Sequence, residues 1–149
     1  MSSYRQIIYQ IIFRTKLSQK TLNPEHKERL FKYIWGIIKN KDCHLYRING
    51  MEEHIHILTD LHPSIALADF VRDIKTASSV WLKDSDDFPK FIGWSEGYAA
   101  LTYSHWDKDK LINYIKNQEE HHKTETFEAE FRRILEEHHI KIDERYFLK

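Results

Sequence analysis

The chain predicts an α+β fold: one antiparallel sheet of the split-βαβ, ferredoxin-like (RRM-like) kind, flanked by helices and extended by additional C-terminal helices. Three observations carry that expectation. Runs rich in Ile, Tyr and Phe alternate with stretches whose apolar residues recur three and four apart. The order they take is β-α-β-β-α-β, followed by two more helical stretches. Between the second and third strand-like runs stands Asn49-Gly50, a strong short signal for a β-hairpin turn.

The elements follow in order. Residues 4–15 (YRQIIYQIIFRT) contain no Gly or Pro and read as a long strand. Tyr9, Ile11 and Phe13 fall on one face, and Ile8, Gln10 and Ile12 on the other, so the strand is expected to be internal and covered on both sides. Asn23-Pro24 has the form of a helix N-cap with proline at the first helical position. Leu30, Phe31, Ile34, Ile37 and Ile38 then keep helical spacing to about Asn40. Cys43 to Ile48 is a second strand, and Met51 to Leu58 a third beyond the hairpin. Ser64 is the expected N-cap of a helix striped by Leu67, Val71, Ile74, Ser78 and Trp81, which ends in the acidic run Asp84 to Asp87. Tyr98 to Ser104 is the fourth strand. Asp107 opens a helix to about His122, Thr124 caps a last one through His138, and residues 140–149 form a partly aromatic tail.

A length of 149 residues is that of one domain, 1–149, large enough for a real core. Aromatic residues at 13% and charged residues at 31% describe an ordinary globular chain and exclude disorder. No apolar run reaches the ~20 residues of a membrane span, and no signal-peptide pattern is present, so a cytoplasmic address is expected. The single cysteine, Cys43, excludes an internal disulfide and a cysteine-based zinc cluster. The net charge is zero, yet residues 1–50 carry ten Lys and Arg against three Asp and Glu. A basic third of this kind can hold a phosphate backbone locally.

The residues with chemistry to offer are His54 and His56. Positions i and i+2 of a strand share a face, so two imidazoles stand side by side there while Ile55 and Ile57 point the other way. Two neutral imidazoles are half of a divalent-metal site. Tyr114 and Gln118, four apart on a helix, share one face. An ion held by His54, His56 and the side-chain carbonyl of Gln118 would lie beside the Tyr114 hydroxyl, a nucleophile next to a Lewis acid. A zinc-hydrolase reading would need a further His, Asp or Glu ligand; His62 is a candidate, but it lies past Asp60 in the loop that ends at Pro63.

Over nearly its whole length the chain resembles the IS200/IS605-type transposases, single-tyrosine members of the HUH endonuclease group. The similarity is carried by Phe13-Arg14-Thr15-Lys16, by Asn49-Gly50-Met51 leading into His54-Ile55-His56 (the His-hydrophobic-His motif), and by Lys75 with Ser78-Ser79 and Trp81. It is carried above all by Tyr114-Ile115-Lys116-Asn117-Gln118-Glu119-Glu120-His121-His122 followed by Phe127 and Glu130. Where relatives are expected to read Trp-Gln-x-Gly-Tyr-Gly-Ala-Phe, this chain has Ser95, Ala99 and Leu101 in place of Gln, Gly and Phe.

The resemblance implies that His54, His56 and Gln118 bind Mg²⁺ or Mn²⁺ and that Tyr114 is the catalytic nucleophile. It implies cleavage and rejoining of hairpin-ended single-stranded DNA through a 5′-phosphotyrosine, and a homodimer whose sites are shared between subunits. Arg14, Lys16, Lys75, Ser78 and Ser79 are the residues it places against DNA. The alternative is a domesticated hairpin-DNA binding or processing protein of the same fold. Such a protein would be expected to have lost Tyr114 or a ligand, and all are present.

Overall fold

The computed structural model describes residues 3–148. Its sheet has four strands: β1 (Tyr9–Arg14), β2 (Leu45–Gly50), β3 (His54–Thr59) and β4 (Ala99–Thr102). They lie in the order β2-β3-β1-β4 with every neighbouring pair antiparallel, the order of a split-βαβ unit. The helices are α1 (Lys27–Asn40), α2 (Leu67–Asp84), α3 (Lys108–Lys116), α4 (Gln118–His121) and α5 (Phe127–Glu137). The expected α+β class and element order are those observed.

The two central strands divide their side chains between two unlike layers. Ile11 and Phe13 of β1 and Ile55 and Ile57 of β3 join Leu30, Phe31, Ile34 and Ile38 of α1 and Phe70, Val71, Ile74 and Leu82 of α2 in one apolar core. Each such side chain taken from water contributes about 1.5–3 kcal/mol. The even-numbered residues Ile8, Gln10, Ile12, His54, His56 and Leu58 turn the other way, where α3, α4 and α5 cover them. A two-residue period thus separates an oily face from a partly polar one.

Several boundaries differ from the sequence reading, each for a physical reason. The first strand is shorter than residues 4–15, because pairing with β3 and β4 starts at Tyr9. Asn49-Gly50 is not the hairpin turn. Both residues lie inside β2, opposite His56 and Ile55, and the chain reverses over residues 51–53. Glycine is required at 50 by close approach, since a Cβ there would stand 2.2 Å from the His54 carbonyl oxygen. The Asn49 side chain donates to the carbonyls of Ile115 and Lys116 at 3.0 and 3.1 Å, and so caps the C-terminal end of α3. The helix expected from Asp107 to His122 is therefore two helices, broken at Asn117 (φ −98°, ψ 25°).

Helix starts also move. Asn23 accepts from the Glu25 amide in a turn that precedes α1. Ser64 pairs with His62 rather than capping α2, which begins after Ala66. Thr126, not Thr124, caps α5 by accepting from the Ala129 amide. The tail packs on its own chain: Phe147 stacks on Phe131 at 5.7 Å, and Arg132 is paired with Glu144.

Candidate active site

His54 and His56 are fully buried on β3 and adjacent, with ring centroids 5.0 Å apart. Above them α5 places Glu130, also fully buried, so that its Oε1 lies 3.2 Å from His54 Nε2, 3.1 Å from His56 Nε2 and 3.0 Å from His122 Nε2. Its second oxygen accepts from the Tyr114 hydroxyl at 2.5 Å and from Gln118 Nε2 at 2.9 Å. Gln118 Oε1 in turn lies 3.1 Å from His54 Nε2. The four residues singled out by spacing, His54, His56, Tyr114 and Gln118, are brought together in one chain, and Glu130 joins them.

The outer nitrogens of the imidazoles fix their tautomers. His54 Nδ1 donates to Glu53 Oε1 at 2.7 Å. His56 Nδ1 donates to Gln10 Oε1 at 2.9 Å, and Gln10 is itself oriented because its Nε2 donates to the Tyr103 hydroxyl at 2.7 Å. Both Nε2 atoms then carry lone pairs, directed at the carboxylate oxygen of Glu130, and at His54 also at the amide oxygen of Gln118. Acceptor faces acceptor at about 3 Å in a site closed to water. That spacing is also what neighbouring ligands show around an ion bound at ~2.1 Å. A donor set of imidazole nitrogens and two kinds of oxygen, with lone pairs converging, fits a divalent cation. His54, His122 and Glu130 alone place ligand atoms within 4.8 Å of one another.

Without a cation, protons must serve instead. Burial disfavours a charged His54, but the carboxylates of Glu130 and Glu53 on its two nitrogens outweigh this and raise its pKa. For His56 burial dominates and lowers it, despite Glu130. Glu130 is penalised by burial yet held far below the carboxylate range by the imidazoles of His122, His54 and His56 around it. Tyr114 is pushed up by burial and by its hydrogen bond to Glu130, and Arg133 opposes both. The Tyr114 ring is also stacked on His121, 4.4 Å between centroids.

Of the residues assigned to DNA, Arg14 stands opposite His54 in the sheet and the others lie elsewhere. Lys16, Lys75 and Ser79 line an open groove of about 900 Å³ together with Arg72, Lys83 and Trp94. Lys75 spends its ammonium on the carbonyls of Ser95 and Gly97, at 2.9 and 2.5 Å, and so ties down the loop before β4. Arg14 is buried and donates to Ser18 Oγ. Ser78 corrects its expectation. It is fully buried, donates to the Ile74 carbonyl and accepts from Trp94 Nε1, which leaves no surface to present to a strand. His62 bonds Ser64 and stands outside the Glu130 cluster, so nothing here builds a zinc hydrolase around it.

Glu130, His122, Gln10, Glu53 and Arg133 were not assigned as ligands or catalytic residues from sequence. A signal existed for two of them. His122 continues the four-residue spacing of Tyr114 and Gln118, and Glu130 is a carboxylate on the apolar stripe Phe127, Phe131, Ile134.

A split-βαβ sheet with paired imidazoles beneath a tyrosine-bearing helix defines a DNA-processing enzyme of the HUH tyrosine transposase kind. Comparison with known proteins agrees: the sequence signature described as "Transposase IS200 like" matches residues 3–118, and the chain belongs to that family. It is 25% identical over 118 residues to the ISDra2 transposase TnpA of Deinococcus radiodurans, covering 76% of this chain and 84% of that one. Among solved structures it is similar to a candidate transposase from Deinococcus radiodurans R1, with TM-score 0.58, 26% identity, and coverage of 79% of this chain and 95% of the other. It also shares its fold with a REP-associated tyrosine transposase solved with a REP hairpin, at TM-score 0.61 and 15% identity, over 82% of this chain and 74% of that one. No helix among the described residues is long and apolar enough to cross a membrane.

Proposed function

We propose that this chain is a single-strand DNA transposase that cleaves and rejoins hairpin-ended DNA through a covalent phosphotyrosine at Tyr114. The observation that carries the reading is the shared carboxylate: Glu130 touches the Tyr114 hydroxyl and Gln118 with one oxygen and both strand histidines with the other. Nucleophile and ligand set are thereby parts of one hydrogen-bonded unit. The hairpin carried by a neighbour of the same fold supports a hairpin substrate here.

His54, His56 and Gln118 would hold Mg²⁺ or Mn²⁺, the imidazoles favouring manganese. Held there, the ion would supply Lewis-acid polarisation of the scissile phosphate and would offset charge that builds in the transition state. The chain's own residues do the rest. Glu53 and Gln10 lock the imidazoles in the tautomer that presents Nε2. Tyr114 attacks phosphorus; its Oη–P bond forms as the bond from phosphorus to the 3′ oxygen breaks. The phenolic proton passes along its hydrogen bond to Glu130 Oε2, 2.5 Å away, and on to water, and the departing oxygen takes up a proton from water to leave as a 3′-hydroxyl. The phosphotyrosine conserves the phosphodiester's energy, so a second 3′-hydroxyl reverses the step without a nucleotide cofactor.

The site draws on residues from Gln10 to Glu130, and we take residues 1–149 as one domain on that ground. The homodimer implied by family resemblance is part of the proposal. In the described chain Tyr114 already lies over its own histidine pair, so a dimer need not exchange helices to complete the site. The test is a labelled single-stranded hairpin end incubated with protein and Mn²⁺, then run on a denaturing gel. Wild type is expected to give a covalent protein–DNA species and Tyr114→Phe none; an adduct with Tyr114→Phe overturns the mechanism.

A further inference from the structure

Tyr114 has a partner that the mechanism above does not use. Arg133, on α5, donates from Nη2 to the Tyr114 oxygen at 2.7 Å, on the same atom that donates to Glu130. The guanidinium is not loosely placed. Nε and Nη2 form a fork on Glu125 at 3.1 and 2.9 Å, and Nη1 donates to Glu137 at 3.1 Å. Four of the five N–H groups of an arginine are thus engaged, and one on Nη1 remains. The side chain is 38% exposed, so a strand can reach it. The i,i+4 pair with Glu137, itself 59% exposed, is a surface ion pair worth little, and a phosphate can replace it at small cost. Arg133 and both its carboxylates lie beyond the residues 3–118 matched by the family signature.

We propose that Arg133 is a catalytic residue of strand cleavage, orienting the Tyr114 oxygen and binding a non-bridging oxygen of the scissile phosphate. The proposal rests on the phosphotyrosine reading above. Geometry leaves little alternative once that reading is accepted. Attack requires Oη within about 3–3.5 Å of phosphorus. With Nη2 at 2.7 Å from Oη, the phosphorus must come within about 6 Å of the guanidinium, and the phosphoryl oxygens nearer still. A fixed planar cation in that place is suited to two phosphate oxygens in a way an ammonium is not. No proton moves to or from Arg133. Its charge stays in place while negative charge passes from Oη to the phosphoryl oxygens and the departing 3′ oxygen. Glu125 is a positioning residue, since its carboxylate acts through its two hydrogen bonds with the arginine.

The experiment is single-turnover adduct formation with Mn²⁺ and a labelled hairpin end, with hairpin affinity measured in parallel by fluorescence anisotropy. One substrate carries the ordinary scissile phosphate and another an uncharged methylphosphonate at that position. Arg133→Gln is expected to slow adduct formation about 100-fold while hairpin affinity stays within about twofold. Its defect should shrink below about tenfold on the uncharged substrate, because the charge it answers is gone. Arg133→Lys should recover part of the rate, and Glu125→Gln, which keeps the arginine but loosens it, should lose about fivefold to tenfold. A wild-type rate for Arg133→Gln, or an equal defect on both substrates, overturns the proposal. Should Arg133→Gln fail to fold, Glu125→Gln and Arg133→Lys decide it by the same comparison of substrates. An adduct formed by Tyr114→Phe would instead bring down the phosphotyrosine reading, a result separable from any result at position 133.

Discussion

The two faces of strands β1 and β3 are built from interleaved residues of the same short segments, yet they do different work. On one face Ile11, Phe13, Ile55 and Ile57 pack into an apolar core with side chains of α1 and α2. On the other, Gln10, His54 and His56 meet a carboxylate, an amide and a phenol brought by α3 to α5. The first face stabilises by removing hydrocarbon from water and tolerates rough equivalents. The second buries polar atoms that are costly unless every one is matched, so each of its residues is specified by its neighbours. Rigidity on the first face is what keeps the second aligned.

The sharpest way to break that division is to cut each face in turn. His56→Ala should reduce adduct formation by more than about 1,000-fold while hairpin binding persists, because backbone contacts and ion binding are separate terms. Ile57→Ala, one residue away, should do the opposite: about 2–5 kcal/mol of stability lost in a denaturant melt, with the rate per folded molecule little changed. If Ile57→Ala reduces the rate as far as His56→Ala does, the faces are not independent. Gly50→Ala lies between the two. Its added methyl meets the His54 carbonyl at 2.2 Å, so about 1–3 kcal/mol of stability and part of the metal affinity should be lost together, by melt and by calorimetry.

A smaller effect separates the histidines by pH. His54 titrates above the ordinary imidazole range of about 6.5, and it must lose that proton before its Nε2 can ligate. Mn²⁺ affinity should therefore rise with pH through and beyond neutrality, with proton release detected by calorimetry in buffers of different ionisation enthalpy. Flat affinity between pH 6 and 8 would contradict the raised value. The smallest effect is expected at Gln10→Ala, which removes the acceptor behind His56 and a donor to the Tyr103 hydroxyl and should weaken Mn²⁺ binding about 10–100-fold without unfolding the sheet.

Much of this was legible in the sequence because it depends on local period. The alternation around His54 and His56 and the helical stripes of α1, α2 and α5 each specify their own face, and the Tyr114–Gln118 spacing survives even the break at Asn117. What was not legible depends on tertiary approach. Asn49-Gly50 has the composition of a turn, but here glycine answers a carbonyl 2.2 Å away and asparagine answers helix ends distant in sequence. Glu130 lies on the apolar stripe of α5, but only the packing of that helix on the sheet shows which groups its carboxylate meets. Ser78 falls on the stripe of α2 and was set against DNA only by family resemblance, whereas its hydroxyl holds an indole.

The Asn49 contact has one more consequence. It fastens the break between α3 and α4 to the sheet at a point between the tyrosine and the glutamine. The segment bearing the nucleophile and the segment bearing the amide oxygen are therefore two levers on one fulcrum rather than a single rod. Both side chains nonetheless converge on one oxygen of Glu130, so the anchor at Asn49 and the carboxylate on α5 together hold nucleophile and amide at a fixed separation.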